Sequence, residues 1–461
     1  MNVVESLRAR WFQWGRELPG FLQLRHTYAI PALITTVFAF RLLMAVAVVP
    51  PWQGPDEPQH FAFVRILTLQ SSLQLEQRGS TAIEGEIVQS MAEHGWWAHY
   101  REPVPDPLPA DFTPLVDHLY RVETAPPLYY LLAVAVLKGL GITDLIGQYY
   151  ALRWLSVFLA VLTLWCGWAG TNLLFGGYVA AGATALLALN PQIALMSITI
   201  NPAVLVNLFG AVIWWQSARL INSDKTMLPV VAVATAAVLG VFTKRVGASF
   251  VGMAALAGVL ACAQAGLFSR RRTRSLTAVA GVLMLGVVGL ALLIPDELAR
   301  LREHWSYILT GSINDRARSG AFFTSFSTLL LDSAWLAAGW LKYPAPLAWK
   351  LVIRALTLVA IGGLILFVVR GDRWRPRIGA AAALVLVQIT AVYVGLYLNG
   401  YGAQGHYLFP VMAPWMAMLW IGLHGWWPQA RWPVVGGVVL ATMFVLDVVA
   451  WSVVIVPAYF T

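Results

Sequence analysis

The sequence predicts an all-α integral membrane protein folded as a polytopic helical bundle, and three observations lead there. Of 461 residues, 59% are hydrophobic and 11% charged, against about 45–50% and about 25% in soluble domains. Twelve apolar segments recur, at 28–50, 126–142, 151–172, 177–192, 200–220, 227–243, 247–266, 275–295, 347–369, 378–399, 407–424 and 434–455, most of them near the roughly 20 residues that cross a bilayer as a helix. Basic residues fall in short clusters between these segments, chiefly Arg270-Arg271-Arg272-Thr273-Arg274 and the run from Arg370 to Arg377. The net charge of +9 therefore reads as cytoplasmic loops under the positive-inside rule, and no nucleic-acid partner is expected.

The first apolar segment follows Arg8, Arg10, Arg16 and Arg25 and is too long for a signal-peptide core, so it is expected to stay as an anchor with a cytoplasmic N-terminus. Counting from the Arg270 cluster places Thr243-Lys244-Arg245 and the loop 190–202 outside. The count closes only if 126–142 does not cross. That segment opens with Pro126-Pro127, ends at Lys138-Gly139 and reaches about 17 residues, the lower limit for spanning. It is expected to lie in the outer leaflet. Eleven spans result, with twelve as the alternative, and the large extracytoplasmic loops 51–146 and 296–346 carry short interfacial helices. The chain divides into an N-terminal catalytic module, 1–295, and a C-terminal part, 296–461, holding the second outer loop and the last spans. Cys166 and Cys262 sit in apolar segments, where a thiol serves as a small hydrophobe. Trp96-Trp97 and Trp426-Trp427 read as interfacial belt residues.

Eleven of the 22 acidic residues fall between Pro51 and Ala125, where the chain leaves the first span. The stretch opens with Pro55-Asp56-Glu57-Pro58-Gln59-His60, a helix start with an acidic cap and a proline in the first turn. Asp56 and His60, four apart, share a face of that helix. Capping alone is the plain alternative; the concentration of acids at a membrane exit favours chemistry. His94, His99 and His118 lack the spacing of a metal site. Two adjacent cations at Lys244-Arg245 on the outer side run against the positive-inside bias, which calls for a partner such as a phosphate, snorkelling being the alternative. Acid facing cation suits glycosyl transfer, where an acceptor is deprotonated and a phosphate departs. The chain has no Gly-rich phosphate loop, so a soluble nucleotide donor has no support.

Several motifs carry a resemblance: Pro-Asp-Glu-Pro-Gln-His-Phe at 55–61, Ala-Pro-Pro-Leu-Tyr-Tyr-Leu-Leu at 125–132, Thr243-Lys244, Ser333-Ala334-Trp335 with Gly339-Trp340, and Gln-Gly-His-Tyr-Leu-Phe-Pro at 404–410. From about 40 to 425 the chain resembles a bacterial multispan family of the GT-C glycosyltransferase superfamily, distantly related to protein O-mannosyltransferases and aminoarabinose transferases. The resemblance implies a GT-C-type bundle in the bacterial plasma membrane, an extracytoplasmic site and a polyprenyl-phosphate-linked sugar as donor. It implies an envelope glycan, lipid or protein as acceptor, and an inverting mechanism. Asp56 and Glu57 are then the catalytic acids. Lys244, Arg245, Gln404, His406 and Tyr407 are expected on the donor phosphate, and His60, Arg65, Asn201 and Tyr129 on the acceptor or in support. Two positions depart from the pattern. Relatives commonly carry an acid soon after the asparagine where this chain reads Asn201-Pro202-Ala203, and arginine where it has His406. No resident cofactor is required, and a divalent cation stays open. The alternatives are a lipid-linked saccharide transporter and a non-catalytic partner of an envelope enzyme.

Overall fold

In the computed structural model, residues 20–70, 79–115, 119, 126–222, 227–265, 314–371 and 374–460 are described. Helix α1 (Gly20–Val48) shows why a first span is apolar all round. Phe38, Leu42, Ala45 and Val49 form a buried seam at helical spacing, while Ile30, Leu33, Val37 and Phe40 are exposed on the other side, as a lipid-facing surface requires.

Past Pro50 the chain enters a cap of short helices: α2 (Glu57–Leu69), α3 (Thr81–Glu93), α4 (Trp96–Tyr100) and α5 (Leu128–Leu140). Helix α2 is buried from Glu57 to Leu67. The Trp52 indole donates to Ser90 Oγ at 3.0 Å, tying the chain exit to α3. Trp96 and Trp97 are fully buried in this cap, which corrects their reading as belt residues: they stack edge-on, 5.1 Å apart, and fill its core. Trp426 and Trp427, by contrast, are exposed. Helix α5 has 13 residues, about 20 Å of rise against about 30 Å of hydrocarbon. It is too short to cross, as expected for 126–142, and packs on α2.

The bundle continues with α6 (Leu145–Phe175), whose N-cap Asp144 accepts from Gly147 N. Next come α7 (Gly177–Ala188) and α8 (Pro191–Ser197), a pair bent by 67°. The break falls at Asn190, which accepts from Ile193 N at 3.1 Å ahead of Pro191. Then follow α9 (Ala203–Asn222), α10 (Met227–Val241), a 3-10 turn at Arg245–Ala248 and α11 (Ser249–Ala265). The later part holds α12 (Gly320–Ser333) and a small antiparallel hairpin, β1 (Ala337–Ala338) and β2 (Tyr343–Pro344), pairing Ala337 with Pro344 and Ala338 with Tyr343. Helices α13 (Leu347–Val369) and α14 (Arg375–Val392), a 3-10 turn at Gly405–Val411, α15 (Met412–His424), α16 (Trp432–Val449) and α17 (Val456–Phe460) complete it. The turn at 405–411 reaches α9 because Gly210 is bare there; a Cβ would stand 2.3 Å from the Pro410 carbonyl oxygen.

Among the described residues, seven helical segments are long and apolar enough to cross a membrane, or eight with the bent pair as one more. The chain is a multi-pass membrane protein. Arg41 and Asp447 pair across the first and last spans, the arrangement expected of charges inside a bilayer. The apolar segment 275–295, the Arg270 cluster, His118 and the 295/296 boundary lie outside the described residues.

Candidate active site

The site begins with two adjacent acids that the backbone sends in different directions. Asp56 is the N-cap of α2 but sits in the left-handed region, φ 62° and ψ 12°, a conformation aspartate tolerates better than most residues. Its carboxylate makes no capping bond to the helix; Gln59 Nε2 lies 3.4 Å away. The capping alternative therefore lacks the bond that defines it. Burial raises the Asp56 carboxyl above its ordinary value, and the charge of Lys244 pulls it back down.

Glu57 is fully buried and saturated. Arg153 donates from Nε to Oε1 at 3.0 Å and from Nη2 to Oε2 at 2.8 Å. Tyr149 Oη at 2.6 Å, Gly54 N at 3.0 Å and Ile200 N at 3.2 Å complete five bonds. Arg153 also donates to the carbonyls of Val49 and Pro50 at 2.6 and 3.1 Å. One ion pair thus joins the exit of α1, the start of α2, α6 and the 198–201 loop. It leaves Glu57 no acceptor free for a substrate proton. The sequence reading grouped Glu57 with Asp56 as a catalytic acid; the structure gives it a holding role. Arg153 was missed, although an arginine inside an apolar span was the available signal.

Lys244 turns inward ahead of the 3-10 turn. Its Nζ donates to Asn201 Oδ1 at 3.1 Å and stands 5.9 Å from the Tyr407 ring centroid. Burial pushes its ammonium down to about 8, and Asp56 opposes the shift. The charge of Lys244 also reaches His60 and His406, and that of Asp56 reaches Tyr407. Lys244 thus joins Asn201 and Tyr407, His406 packs on Tyr407 with ring centroids 4.3 Å apart, and Asp56 and His60 at the start of α2 lie within reach of the lysine's charge. His60 Nδ1 meets Tyr130 Oη at 2.8 Å, and burial, with the lysine, holds the imidazole well below its ordinary pKa, hence neutral. Polar atoms here are buried without a partner, among them His60 Nε2, Asn201 Nδ2 and His406 Nε2. Such atoms are uncommon in a folded protein and call for a ligand.

A buried relay fixes the two cationic and aromatic walls against each other. Ser249 Oγ donates to Gln388 Oε1 at 2.6 Å, and Gln388 Nε2 donates to the Tyr407 carbonyl at 2.6 Å. The Gln404 carbonyl accepts from Tyr407 N at 3.2 Å to open its turn. Other expected residues lie apart. Arg245 is exposed at the start of its turn. Arg65 is spent on Glu86 at 3.0 Å and Gln148 at 2.7 Å, fastening α2 to α3 and α6. Tyr129 is buried behind the site beside Glu57, Ser156 and the Asn201 backbone. Among the described residues, no group of three or more His, Cys, Asp or Glu is placed to hold a metal.

No protein-family model and no curated protein matches the chain in sequence. Solved structures do match in fold. The chain is similar to ArnT from Cupriavidus metallidurans bound to undecaprenyl phosphate, with a TM-score of 0.52 and 13% identity over 94% of this chain and 73% of that one. It is similar to the Archaeoglobus fulgidus oligosaccharyltransferase tethered with an acceptor peptide, with a TM-score of 0.51 and 12% identity over 94% of this chain and 56% of that one. The archaeal oligosaccharyltransferase AglB in complex with an inhibitory peptide and a dolichol-phosphate gives 0.50 at 12% identity, again covering 56% of that chain. The fold is that of the GT-C class.

Proposed function

We propose that this chain is an inverting membrane glycosyltransferase. It moves a sugar from a polyprenyl-phosphate-linked donor to an envelope glycan, lipid or protein on the outer face of the bacterial plasma membrane, with its N-terminus in the cytoplasm. The observation that carries the reading is the proximity of Asp56 and Lys244, with unpartnered polar atoms on His60, Asn201 and His406, in a fold shared with a protein bound to undecaprenyl phosphate.

The acceptor oxygen attacks the anomeric carbon and its proton passes to the Asp56 carboxylate. The bond from that carbon to the phosphate oxygen breaks, and the electron pair leaves with the lipid phosphate. One displacement inverts the anomeric centre. Lys244 meets the developing charge, and a fixed ammonium in a partly dry site is worth several kcal/mol there. Asn201 Nδ2 donates to donor oxygens. The free Nε2 of His60 or His406 hydrogen-bonds a sugar hydroxyl, and Gln404 and Tyr407 line the phosphate side.

The donor set suits this ammonium better than a divalent cation. Glu57 is consumed by Arg153 and Asn201 Oδ1 by Lys244, so of the described acids at this site Asp56 is left to offer a carboxylate. A transporter would turn ionisable groups of its spans toward a cavity, whereas Arg41 and Asp447 pair with each other. Binding of undecaprenyl phosphate to the purified protein in nanodiscs tests the donor assignment. Wild type is expected to bind and Lys244→Ala to bind at least about tenfold more weakly; equal binding by both removes Lys244 from the phosphate.

A further inference from the structure

Asp56 has a second neighbourhood besides Lys244. Gln53, three residues before Asp56, donates from Nε2 to the carbonyls of His94 and Gly95 at 3.3 Å, so α4 starts beside the Asp56 turn. Tyr100 at the end of α4 feels the Asp56 charge and belongs to a cluster that the transfer step leaves unused. The ring of His99 stacks on Tyr459 at 5.5 Å and 15°, meets Tyr100 edge-on at 5.2 Å and leans on Tyr343 at 5.9 Å. The Lys342 ammonium donates to the His99 carbonyl at 3.1 Å and lies 5.1 Å from the Tyr100 centroid and 5.9 Å from that of Tyr343. Lys342 is exposed, and Tyr100, Trp340 and Tyr343 are half-buried. The cluster is a rim of aromatic faces with one cation on it.

Two observations indicate that this rim is built for a ligand. His99 is 6% exposed; its Nδ1 faces the Ala458 carbonyl at 3.3 Å and so carries the proton, while its Nε2 is buried without a partner. Burial holds this imidazole near pKa 4, so Nε2 is a bare hydrogen-bond acceptor. The second observation is backbone strain in the hairpin that presents Lys342. Gly339, Trp340 and Leu341 have φ of 56°, 58° and 70°, and two left-handed non-glycine residues in succession are costly. Gly339 cannot be replaced cheaply, because a Cβ would stand 2.7 Å from the Tyr343 ring and 3.0 Å from His99.

Aromatic faces receive the apolar side of a pyranose, an unpaired imidazole nitrogen receives a hydroxyl, and an ammonium receives a phosphate or carboxylate. Resting on the transferase reading above, we propose that the 337–344 hairpin with His99 and Tyr100 is the acceptor subsite, and that it takes a carbohydrate bearing an anionic group. The anion sits on Lys342, the ring lies against Tyr100 and Tyr343, and a neighbouring hydroxyl is thereby brought toward Asp56. Phosphorylated and uronic-acid sugars share this chemistry.

The test uses the full-length protein in nanodiscs and measures binding of a galacturonate trisaccharide, mannose 6-phosphate and neutral maltotriose, with undecaprenyl phosphate as the donor-side control. The expected result is preference for an anionic sugar over maltotriose by about tenfold, the lower end for a charge-assisted bond. That preference is lost in Lys342→Gln, whose undecaprenyl phosphate binding is unchanged, and kept in Lys244→Ala. His99→Asn weakens all sugars alike. Selectivity for one anionic sugar tells phosphate from carboxylate. Equal binding of neutral and anionic sugars, no sugar binding at all, or preference surviving in Lys342→Gln overturns the subsite. Loss of undecaprenyl phosphate binding in the wild type overturns instead the transferase reading on which it rests.

Discussion

Arg153 grips Glu57 by two parallel bonds of 3.0 and 2.8 Å, with both side chains wholly buried, and this pair sets the geometry of the neighbouring Asp56. With Glu57 drawn toward α6, residue 56 is left at the turn in a left-handed conformation with its carboxylate off the helix end. Removing one member of a buried pair costs about 3–5 kcal/mol because the other charge stays behind. Arg153→Met and Glu57→Gln are both expected to lower thermal stability by that order, read by melting in detergent or lipid. Asp56→Asn is expected to change it by less than about 1 kcal/mol. A stable Glu57→Gln protein lacking only activity would return Glu57 to the chemistry.

Activity is expected to follow a bell-shaped pH profile. Asp56 must be ionised, and burial raises its carboxyl above the ordinary range, so the acid limb climbs as pH rises through that raised value. Lys244 must be protonated, and its ammonium is lowered to about 8, so the basic limb falls above about pH 8. In Lys244→Arg the guanidinium keeps its charge, and the basic limb of kcat/KM should move up or vanish. A basic limb unmoved by that substitution would assign it to another group.

Transfer by the wild type is expected to persist in excess EDTA, since the Lys244 ammonium stands on Asn201 Oδ1. Asn201→Asp places a second carboxylate beside the lysine, raises the lysine pKa and shifts the basic limb upward. Loss of wild-type activity in chelator, restored by Mg²⁺ or Mn²⁺, would contradict the ammonium's role.

Gln388 bridges Ser249 and the Tyr407 carbonyl without reaching the site. Gln388→Leu breaks both bonds, which cost about 1–3 kcal/mol when a buried partner is left unpaired. The expected signature is a donor KM raised about tenfold with the pH profile unmoved. An unchanged KM would show that the two walls hold without the bridge.

Much of the membrane fold is legible because hydrocarbon imposes one simple demand, a long apolar run per span. The short α5 is legible too, since Pro126-Pro127 and Lys138-Gly139 bound it. Asp56, Asn201, Lys244 and the pair His406-Tyr407 come from four distant stretches of chain, and no spacing along the sequence links them. Position along the sequence does not tell which adjacent acid turns inward to an arginine 96 residues on. That choice is made by the tertiary partners Arg153, Tyr149 and Ile200. The burial of Trp96-Trp97 was hidden for a similar reason: paired tryptophans look alike in an interfacial belt and in the core of a small cap. A hairpin with two-residue strands carries no periodicity to read.

The most direct measurement is transfer of radiolabelled sugar from a panel of polyprenyl-phosphate donors to envelope acceptors by the purified protein in lipid, beside Asp56→Asn. Wild type is predicted to form product, and Asp56→Asn to bind donor with wild-type affinity yet lose at least about 100-fold in turnover. Product formed by Asp56→Asn at the wild-type rate, or none from the wild type with any donor it binds, would contradict the account.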